Sequence, residues 1–121
     1  MDTHVLLWSL AEPERIATEA AQAFRERVTS TVVSVVSFWE ISIKRAAGRL
    51  SVPDELPKIV QDLGHEILLV RATHAWRAGA LPLHHRDPFD RLLVAQAQIE
   101  GLALVTRDHA IAAYDVETLR A

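Results

Sequence analysis

Apolar and polar positions along the chain divide into short β-branched runs and longer stretches with helical spacing. The clearest helix is predicted over residues 88–100, with Asp87 at the N-cap, Pro88 at the first helical position and Gly101 just beyond the end. Further helical patterns cover residues 14–27, 53–64 and 73–81, a segment after residue 36 that ends at Gly48, and one turn from His109. Apolar runs predict strands at residues 31–36, 66–70, 102–106 and 116–119.

The alternation of strands with helices predicts one α/β domain over residues 1–121. Strands that are apolar on both faces indicate a largely parallel sheet covered by helices on each side. Ligands of such sheets gather at the carboxyl ends of the strands, beside the N-termini of the following helices. Asp90 and Asp108 both fall at that edge in the predicted arrangement.

Composition excludes several classes of protein. Half of the 121 residues are hydrophobic and 24% are charged, which is typical of a folded domain rather than a disordered chain. The absence of cysteine excludes disulfides and thiolate metal sites. The apolar runs are too short to cross a bilayer, and the start MDTHVLLWSL has neither the basic region nor the cleavage site of a signal peptide. We therefore expect a cytoplasmic protein without membrane association.

The net charge of −3 argues against a protein that holds nucleic acid by overall positive potential. Setting four of the 16 acidic residues aside, as buried metal ligands, leaves 12 against 13 lysines and arginines. The charge balance is then close to neutral, so it is compatible with a nucleic-acid partner without indicating one.

Four acids lie at positions where each has a structural explanation of its own. Asp108 follows a predicted strand and would form an Asx-turn or cap the next helical turn. Asp90 is the third residue of its helix, where a carboxylate favours the exposed amides and the helix dipole. Glu40 fits a capping box with Ser37, and Asp2 would belong to a disordered terminus.

The four explanations together leave a coincidence, because few other polar groups surround these acids. Clustered carboxylates repel one another unless cations hold them, and hard oxygen ligands select Mg²⁺ or Mn²⁺. One such ion, or two about 4 Å apart, activates water and stabilises the leaving oxygen of a phosphodiester. The adjacent His84 and His85 indicate either substrate contacts or a transition-metal site, and the lack of cysteine and of further clustered histidines disfavours the latter.

Four segments in order resemble the motif blocks of the PIN domain, most closely those of the VapC-like ribonuclease toxins of type II toxin–antitoxin systems. They are DTHVLLW (2–8), SVVSFWEISIKRAAGRL (34–50), LPLHHRDPFDRLLVAQA (81–97) and LVTRDHAIAAY (104–114). The resemblance implies a three-layer α/β/α sandwich around a mostly parallel sheet. Family members carry an apolar central first strand before the first aspartate, so this strand is expected to be truncated or missing here. A start codon assigned too far downstream would explain this, as would a truncated, inactive copy.

The resemblance also assigns the site. It implies that the catalytic and metal-binding acids are Asp2, Glu40, Asp90 and Asp108, that Mg²⁺ or Mn²⁺ is the cofactor, and that Asp87 is a cap. Thr106 matches a small hydroxyl residue near the family site. The predicted substrate contacts are Thr106, Arg86, Arg91 and Lys44. Each basic residue, taken alone, is also explained as an ordinary solvent-exposed charge.

The function implied is a metal-dependent endoribonuclease toxin that cleaves RNA with Mg²⁺-activated water. Its partners would be an antitoxin encoded by an adjacent gene and a second copy of the toxin. The three tryptophans, Trp8, Trp39 and Trp76, are expected in the core, with part of their surface open to the antitoxin. The alternatives are a PIN-like nuclease in RNA processing and a non-catalytic PIN-like interaction module; a phosphotransfer receiver fits the ordered blocks poorly.

Overall fold

The computed structural model describes residues 1–11 and 31–120. Its helices, numbered along this part of the chain, are α1 (Thr3–Ala11), α2 (Val35–Ala46), α3 (Leu56–Asp62), α4 (Ala72–Ala80), α5 (Pro88–Glu100) and α6 (His109–Ala112). Its strands are β1 (Val32–Ser34), β2 (Glu66–Leu68), β3 (Leu104–Thr106) and β4 (Thr118–Arg120). The helix predicted at 14–27 lies outside the described residues. None of the helices described here combines the length and the apolar character that crossing a bilayer requires.

The strands form two parallel pairs, so the prediction of a mostly parallel sheet is confirmed. In β1–β2 Val33 lies opposite Ile67, and in β3–β4 Val105 lies opposite Leu119. The amide of Asp2 donates to the carbonyl of Val105 at 2.9 Å, so the residues before α1 lie beside β3. Within the described ranges these residues form no strand of their own, and the sheet is divided into two two-stranded pieces. This agrees with a first central strand that is truncated or missing.

Two hydrophobic clusters lie on opposite faces of the strands. Val105 belongs to the cluster that contains residues of α1 and α3, whereas its neighbour Leu104 belongs to the cluster that contains residues of α5 and α6. Because successive side chains of a strand point to opposite faces, α1 and α3 cover one face and α5 and α6 cover the other. The predicted α/β/α layering follows from this arrangement.

The boundary between β1 and α2 is set by a serine. The Ser34 hydroxyl accepts a hydrogen bond from the Val36 amide at 3.1 Å and caps α2. The strand predicted over residues 31–36 therefore ends at Ser34, because a helix cap converts the rest of the β-branched run to helix. The capping box proposed for Ser37 and Glu40 is wrong, since both residues lie inside α2.

The other strands are also shorter than their apolar runs. Because β2 pairs with β1 residue by residue, β2 ends at Leu68 and leaves Leu69 67% exposed. The run at residues 102–106 contributes a strand from Leu104 onwards, and the last strand is shifted from residues 116–119 to Thr118–Arg120. Strand length here depends on the partner strand rather than on local hydrophobicity.

Helix α5 has the predicted bounds and caps. The Asp87 carboxylate accepts hydrogen bonds from the amides of Phe89 at 2.8 Å and Asp90 at 3.4 Å. Gly101 ends the helix with a φ of 66°, in the left-handed region that favours glycine. This helix positions Asp90 at the edge of the sheet.

The expectation that the tryptophans are core residues is wrong for two of them. Trp39 is 57% exposed and Trp76 is 87% exposed. Helix α4 instead buries His74, and a residue two positions along a helix points to the opposite side. Trp39 lies on the outer side of α2, where its ring meets the edge of Phe89 at a centroid distance of 5.1 Å. The side chain of Trp8 lies outside what the structure describes.

Candidate active site

Two of the predicted acids meet at one histidine. The Nε2 atom of His85 lies 2.8 Å from Oδ2 of Asp108 and 3.1 Å from Oδ2 of Asp90. One ligand atom from each of these three residues lies within 4.8 Å of the others, so the group is compact enough to hold a cation. Asp108 follows β3 and Asp90 lies in the first turn of α5, which places both acids at the expected strand edge.

Asp108 combines a structural contact with a place in this group. Its Oδ1 atom accepts a hydrogen bond from the Ala110 amide at 2.8 Å and caps α6. Partial burial alone would raise the pKa of Asp108, but the hydrogen bonds from Ala110 and His85 outweigh it and lower the pKa. The carboxylate is therefore ionised at neutral pH, and its 40% exposed side chain is accessible to a ligand.

Asp90 is the most perturbed of the acids. Its side chain is 13% exposed, and burial raises its pKa to about 7. The negative charges of Asp87, Asp2 and Glu40 raise the pKa further, while His85 opposes them. The structure thus brings Asp90 and Asp108 together at His85, and the charges of Asp2 and Glu40 act on Asp90.

Asp2 is buried and caps a helix that was not predicted. It is 4% exposed, and its Oδ1 atom accepts a hydrogen bond from the Val5 amide at 2.9 Å at the start of α1. Its Oδ2 atom accepts a hydrogen bond from the Thr106 hydroxyl at 2.5 Å. The alternative that Asp2 belongs to a disordered terminus is wrong. The signal for α1 was an aspartate directly before an apolar run.

Thr106 connects Asp2 to Asp108. Its hydroxyl donates to Asp2 and also accepts a hydrogen bond from the Asp108 amide at 3.0 Å. Since the residue is 4% exposed, its hydroxyl orients two acids from within the site. Direct contact between Thr106 and a substrate remains a prediction.

Glu40 carries an unsatisfied oxygen. The residue is 3% exposed, and its Oε2 atom binds the Nζ atom of Lys44 at 2.6 Å, one helical turn away. Its buried Oε1 atom has no hydrogen-bond partner among the described residues. A buried carboxylate oxygen without a partner is costly, so this atom is a place where a ligand would be stabilised.

The three basic residues predicted to contact the substrate differ in how many hydrogen bonds and ion pairs their side chains make within the protein. Arg91 donates from Nη2 to the carbonyls of Ala78 at 2.9 Å and Leu81 at 3.1 Å, and so anchors the end of α4 to α5. Lys44 is bound to Glu40 but is 36% exposed, and Arg86 is exposed. Lys44 and Arg86 are thus better placed than Arg91 to meet a ligand.

The position of His85 between two acids was not predicted. The sequence indicated it as a substrate contact or as half of a transition-metal pair, together with His84. The local signal in the sequence is that His85 stands two residues before the N-cap Asp87, whose backbone amide donates a hydrogen bond to Nδ1 of the ring. The contact with Asp108, 23 residues away, depends on the tertiary fold.

The donor set fits a hard divalent cation. Burial and then the charges of other acids raise the pKa of Asp90, and Glu40 has a buried oxygen without a partner among the described residues. A divalent cation would provide that partner and reduce the repulsion between the acids. Oxygen ligands of this kind suit Mg²⁺ and Mn²⁺.

Comparison with known proteins places the chain in a family. Residues 1–117 match the PIN domain. Over 111 residues the chain is 32% identical to ribonuclease VapC22 of Mycobacterium tuberculosis (strain ATCC 25618 / H37Rv), a span that covers 89% of this chain and 85% of that protein. The α/β fold, with its parallel strand pairs, agrees with both matches. The chain therefore belongs to the PIN-domain family, within which it is similar to the VapC-like proteins.

Proposed function

We propose that this protein is a Mg²⁺- or Mn²⁺-dependent endoribonuclease and the toxin of a type II toxin–antitoxin pair. The observation that carries the proposal is the meeting of Asp90 and Asp108 in one group, in which one ligand atom each from Asp90, Asp108 and His85 lies within 4.8 Å of the others. Burial, followed by the charges of Asp87, Asp2 and Glu40, also raises the pKa of Asp90 to about 7. The similarity to a mycobacterial protein named as a ribonuclease supports RNA as the substrate.

The residues that would hold the ion are Asp2, Asp90, Asp108 and Glu40. When bound, a divalent ion supplies positive charge that activates water and stabilises the leaving oxygen of a phosphodiester. Asp90 serves as a ligand in its ionised form, so a site assembled around Asp90 gives up the proton of that carboxyl group.

The chain's own residues orient the acids and meet the substrate. The Thr106 hydroxyl holds one oxygen of Asp2, while the cap on α6 holds one oxygen of Asp108. Lys44 neutralises Glu40 and is partly exposed, so we assign it, together with Arg86, to the RNA backbone. Charged contacts of this kind act on phosphates and carry no base specificity.

A cleavage assay tests the nuclease activity. End-labelled RNA is incubated with the wild-type chain, Asp90→Asn and Glu100→Gln, each with Mg²⁺, with Mn²⁺ and with EDTA. We expect Asp90→Asn to lose activity on the order of 10²–10³-fold, the scale for removing one preorganised electrostatic group. Glu100→Gln, which neutralises an acid bound by His74 and Arg71, retains activity. Cleavage by Asp90→Asn at the wild-type rate, or undiminished cleavage in EDTA, contradicts the proposal.

Growth assays test the toxin role separately. Expression of the chain in a bacterial host should arrest growth, and co-expression of the small protein encoded by the adjacent gene should relieve the arrest. Metal-dependent RNA cleavage without growth arrest would instead indicate a PIN-like nuclease of RNA processing. Light scattering of the purified chain tests the proposed homodimer, and fractionation of the host tests the proposed cytoplasmic location.

A further inference from the structure

His85 lies against two of the proposed ligands, which leaves two possible roles for its ring. Its Nε2 atom lies 2.8 Å from Oδ2 of Asp108 and 3.1 Å from Oδ2 of Asp90. At these distances Nε2 would either join the acids as a nitrogen ligand of the cation or donate a hydrogen bond to Asp108 while lying beside Asp90. The first role requires an Nε2 lone pair and the second requires an Nε2 proton.

The other ring nitrogen decides between these roles. The backbone amide of Asp87 lies 3.0 Å from Nδ1 of His85 and donates to it. A backbone N–H donates and cannot accept, so Nδ1 carries a lone pair and the ring proton of the neutral imidazole is on Nε2. To bind a cation through Nε2, the ring would have to move its proton to Nδ1 and give up the bond from Asp87.

The surroundings of His85 resist such a change. The amide of His85 donates to the Tyr114 hydroxyl at 3.0 Å, and that hydroxyl donates to the carbonyl of Pro82 at 2.5 Å. Tyr114 is 5% exposed and belongs to the hydrophobic cluster around α5. Both the backbone and the ring of His85 are thus held, and its side chain is 18% exposed.

We propose that His85 is a positioning residue whose Nε2–H group donates to Asp108 and lies against Asp90, and that His85 is not itself a ligand of the cation. This inference rests on the proposed function, because it assumes that these acids hold a divalent cation. A carboxylate oxygen can accept more than one bond, so the hydrogen bond to Asp108 leaves lone pairs for the ion. An oxygen-only site favours Mg²⁺ and Mn²⁺, whereas an imidazole ligand would favour Zn²⁺, Ni²⁺ or Cu²⁺.

Three measurements test the proposal. In the metal-free protein, long-range ¹H–¹⁵N NMR spectra of the His85 ring should show a protonated Nε2 and an unprotonated Nδ1. With Mn²⁺ bound, pulsed EPR should show no coupling to a coordinated ¹⁴N nucleus. His85→Ala should weaken Mn²⁺ binding about 10–100-fold, the usual effect of removing a group that orients a ligand, whereas His85→Gln, which keeps an N–H donor, should stay within about threefold of wild type.

His109→Gln is the matched control, because His109 is exposed and adjoins Asp108 in sequence; its Mn²⁺ affinity should equal that of wild type. A proton on Nδ1, a coordinated-nitrogen signal that disappears in His85→Ala, or equal affinities of His85→Ala and wild type would each overturn the proposal. Circular dichroism confirms that the variants fold. If wild type does not bind Mn²⁺, the proposed function fails, and the NMR spectra of the metal-free protein still decide the tautomer.

Discussion

Two histidines of this protein, His74 and His85, contact carboxylates with the same geometry but in different electrostatic surroundings. In the first group, His74 accepts a hydrogen bond at Nδ1 from the Arg71 amide at 3.0 Å and faces Glu100 with Nε2 at 2.9 Å. The Arg71 guanidinium binds the same oxygen of Glu100 at 2.6 Å. The hydrogen bond from His74, followed by the charge of Arg71, lowers the pKa of Glu100 despite desolvation.

The second group reverses that outcome at one of its acids, Asp90, although the hydrogen bond from His85 helps to lower the pKa of Asp108. His85 also accepts a backbone amide at Nδ1 and faces carboxylates with Nε2, yet the pKa of Asp90 is raised to about 7. Burial is the largest cause, and the charges of Asp87, Asp2 and Glu40 raise the pKa further, while His85 lowers it. The comparison teaches that a structural network balances its charge within the chain. In the proposed site, the acid cluster (Asp2, Glu40, Asp90 and Asp108) would instead leave negative charge for a ligand to neutralise.

The largest expected effect comes from removing the charge of Asp108 while keeping its helix cap. Asp108→Asn keeps a good helix cap, because asparagine caps as well as aspartate does. We expect RNA cleavage to fall on the order of 10²–10³-fold with the thermal stability nearly unchanged. The rate is measured under single-turnover conditions, with Glu100→Gln as the charge-matched control. A variant that cleaves as fast as wild type would remove Asp108 from the site.

Disrupting the group of His74, Arg71 and Glu100 should lower the stability of the fold and leave cation binding intact. His74 is fully buried, and it joins Glu100 to the start of α4. We expect His74→Ala to lower the free energy of unfolding by about 2–4 kcal/mol, because it creates a cavity and leaves buried polar groups unpaired. Urea titration measures this loss. The increase in melting temperature on adding Mn²⁺ should match that of wild type, and a smaller increase would show that the two groups are coupled.

The stability of the protein should depend on pH in opposite directions through Asp90 and through Glu100. Folded Asp90 keeps its proton up to pH about 7, whereas the unfolded chain loses it near 3.8. The contribution of Asp90 to stability therefore falls as the pH rises from 3.8 to about 7, and the full cost is present above that range. Glu100, whose folded pKa is lowered, contributes stability at neutral pH that is lost in acid.

Asp90→Asn tests this sign directly. In EDTA at pH 8 we expect it to exceed wild type in unfolding free energy by about 1–3 kcal/mol, since one pKa unit corresponds to about 1.36 kcal/mol and solvent relaxation reduces the full effect. Near pH 3.5 the two proteins should be equally stable. The measurement is urea titration across this pH range. A difference that stays constant with pH would show that Asp90 is not the buried acid described here.

The smallest expected effect concerns Asp87, which both caps α5 and repels Asp90. Asp87→Asn keeps the cap and removes the charge, so the pKa of Asp90 should fall with little change in stability. Asp87→Ala removes both and should cost about 1 kcal/mol in unfolding free energy. Carbon-detected NMR titration follows the Asp90 carboxyl group. An unchanged pKa of Asp90 in Asp87→Asn would contradict the role of Asp87 in raising it.

Local patterns predicted much of the fold. Asp87, Pro88 and Gly101 marked both ends of α5, and the strand–helix alternation indicated parallel strands. The strand ends were predicted less well, because β2 stops where its partner β1 turns into helix α2 at Ser34. The exposed Trp76 was also missed, since hydrophobicity alone did not show that α4 buries His74 instead.

The candidate site shows the same division. The resemblance assigned the four acids from the sequence, but their electrostatic effect on one another depends on contacts between distant parts of the chain. Thr106 reaches Asp2 across 104 positions, and His85 reaches Asp108 across 23 positions. The raised pKa of Asp90 likewise depends on its burial in the fold and on charges that include those of the distant Asp2 and Glu40. A one-dimensional pattern carries no information about such distances.

Calorimetric titration with Mn²⁺ near pH 7 tests the convergence of the acids most directly. Wild type and Glu100→Gln should bind Mn²⁺ saturably with equal affinity, and repetition in two buffers of different ionisation enthalpy should reveal proton release. Asp90→Asn should bind at least about tenfold more weakly and release no proton. Equal binding by Asp90→Asn and wild type, or no saturable binding by wild type, would contradict an acid cluster that requires a cation.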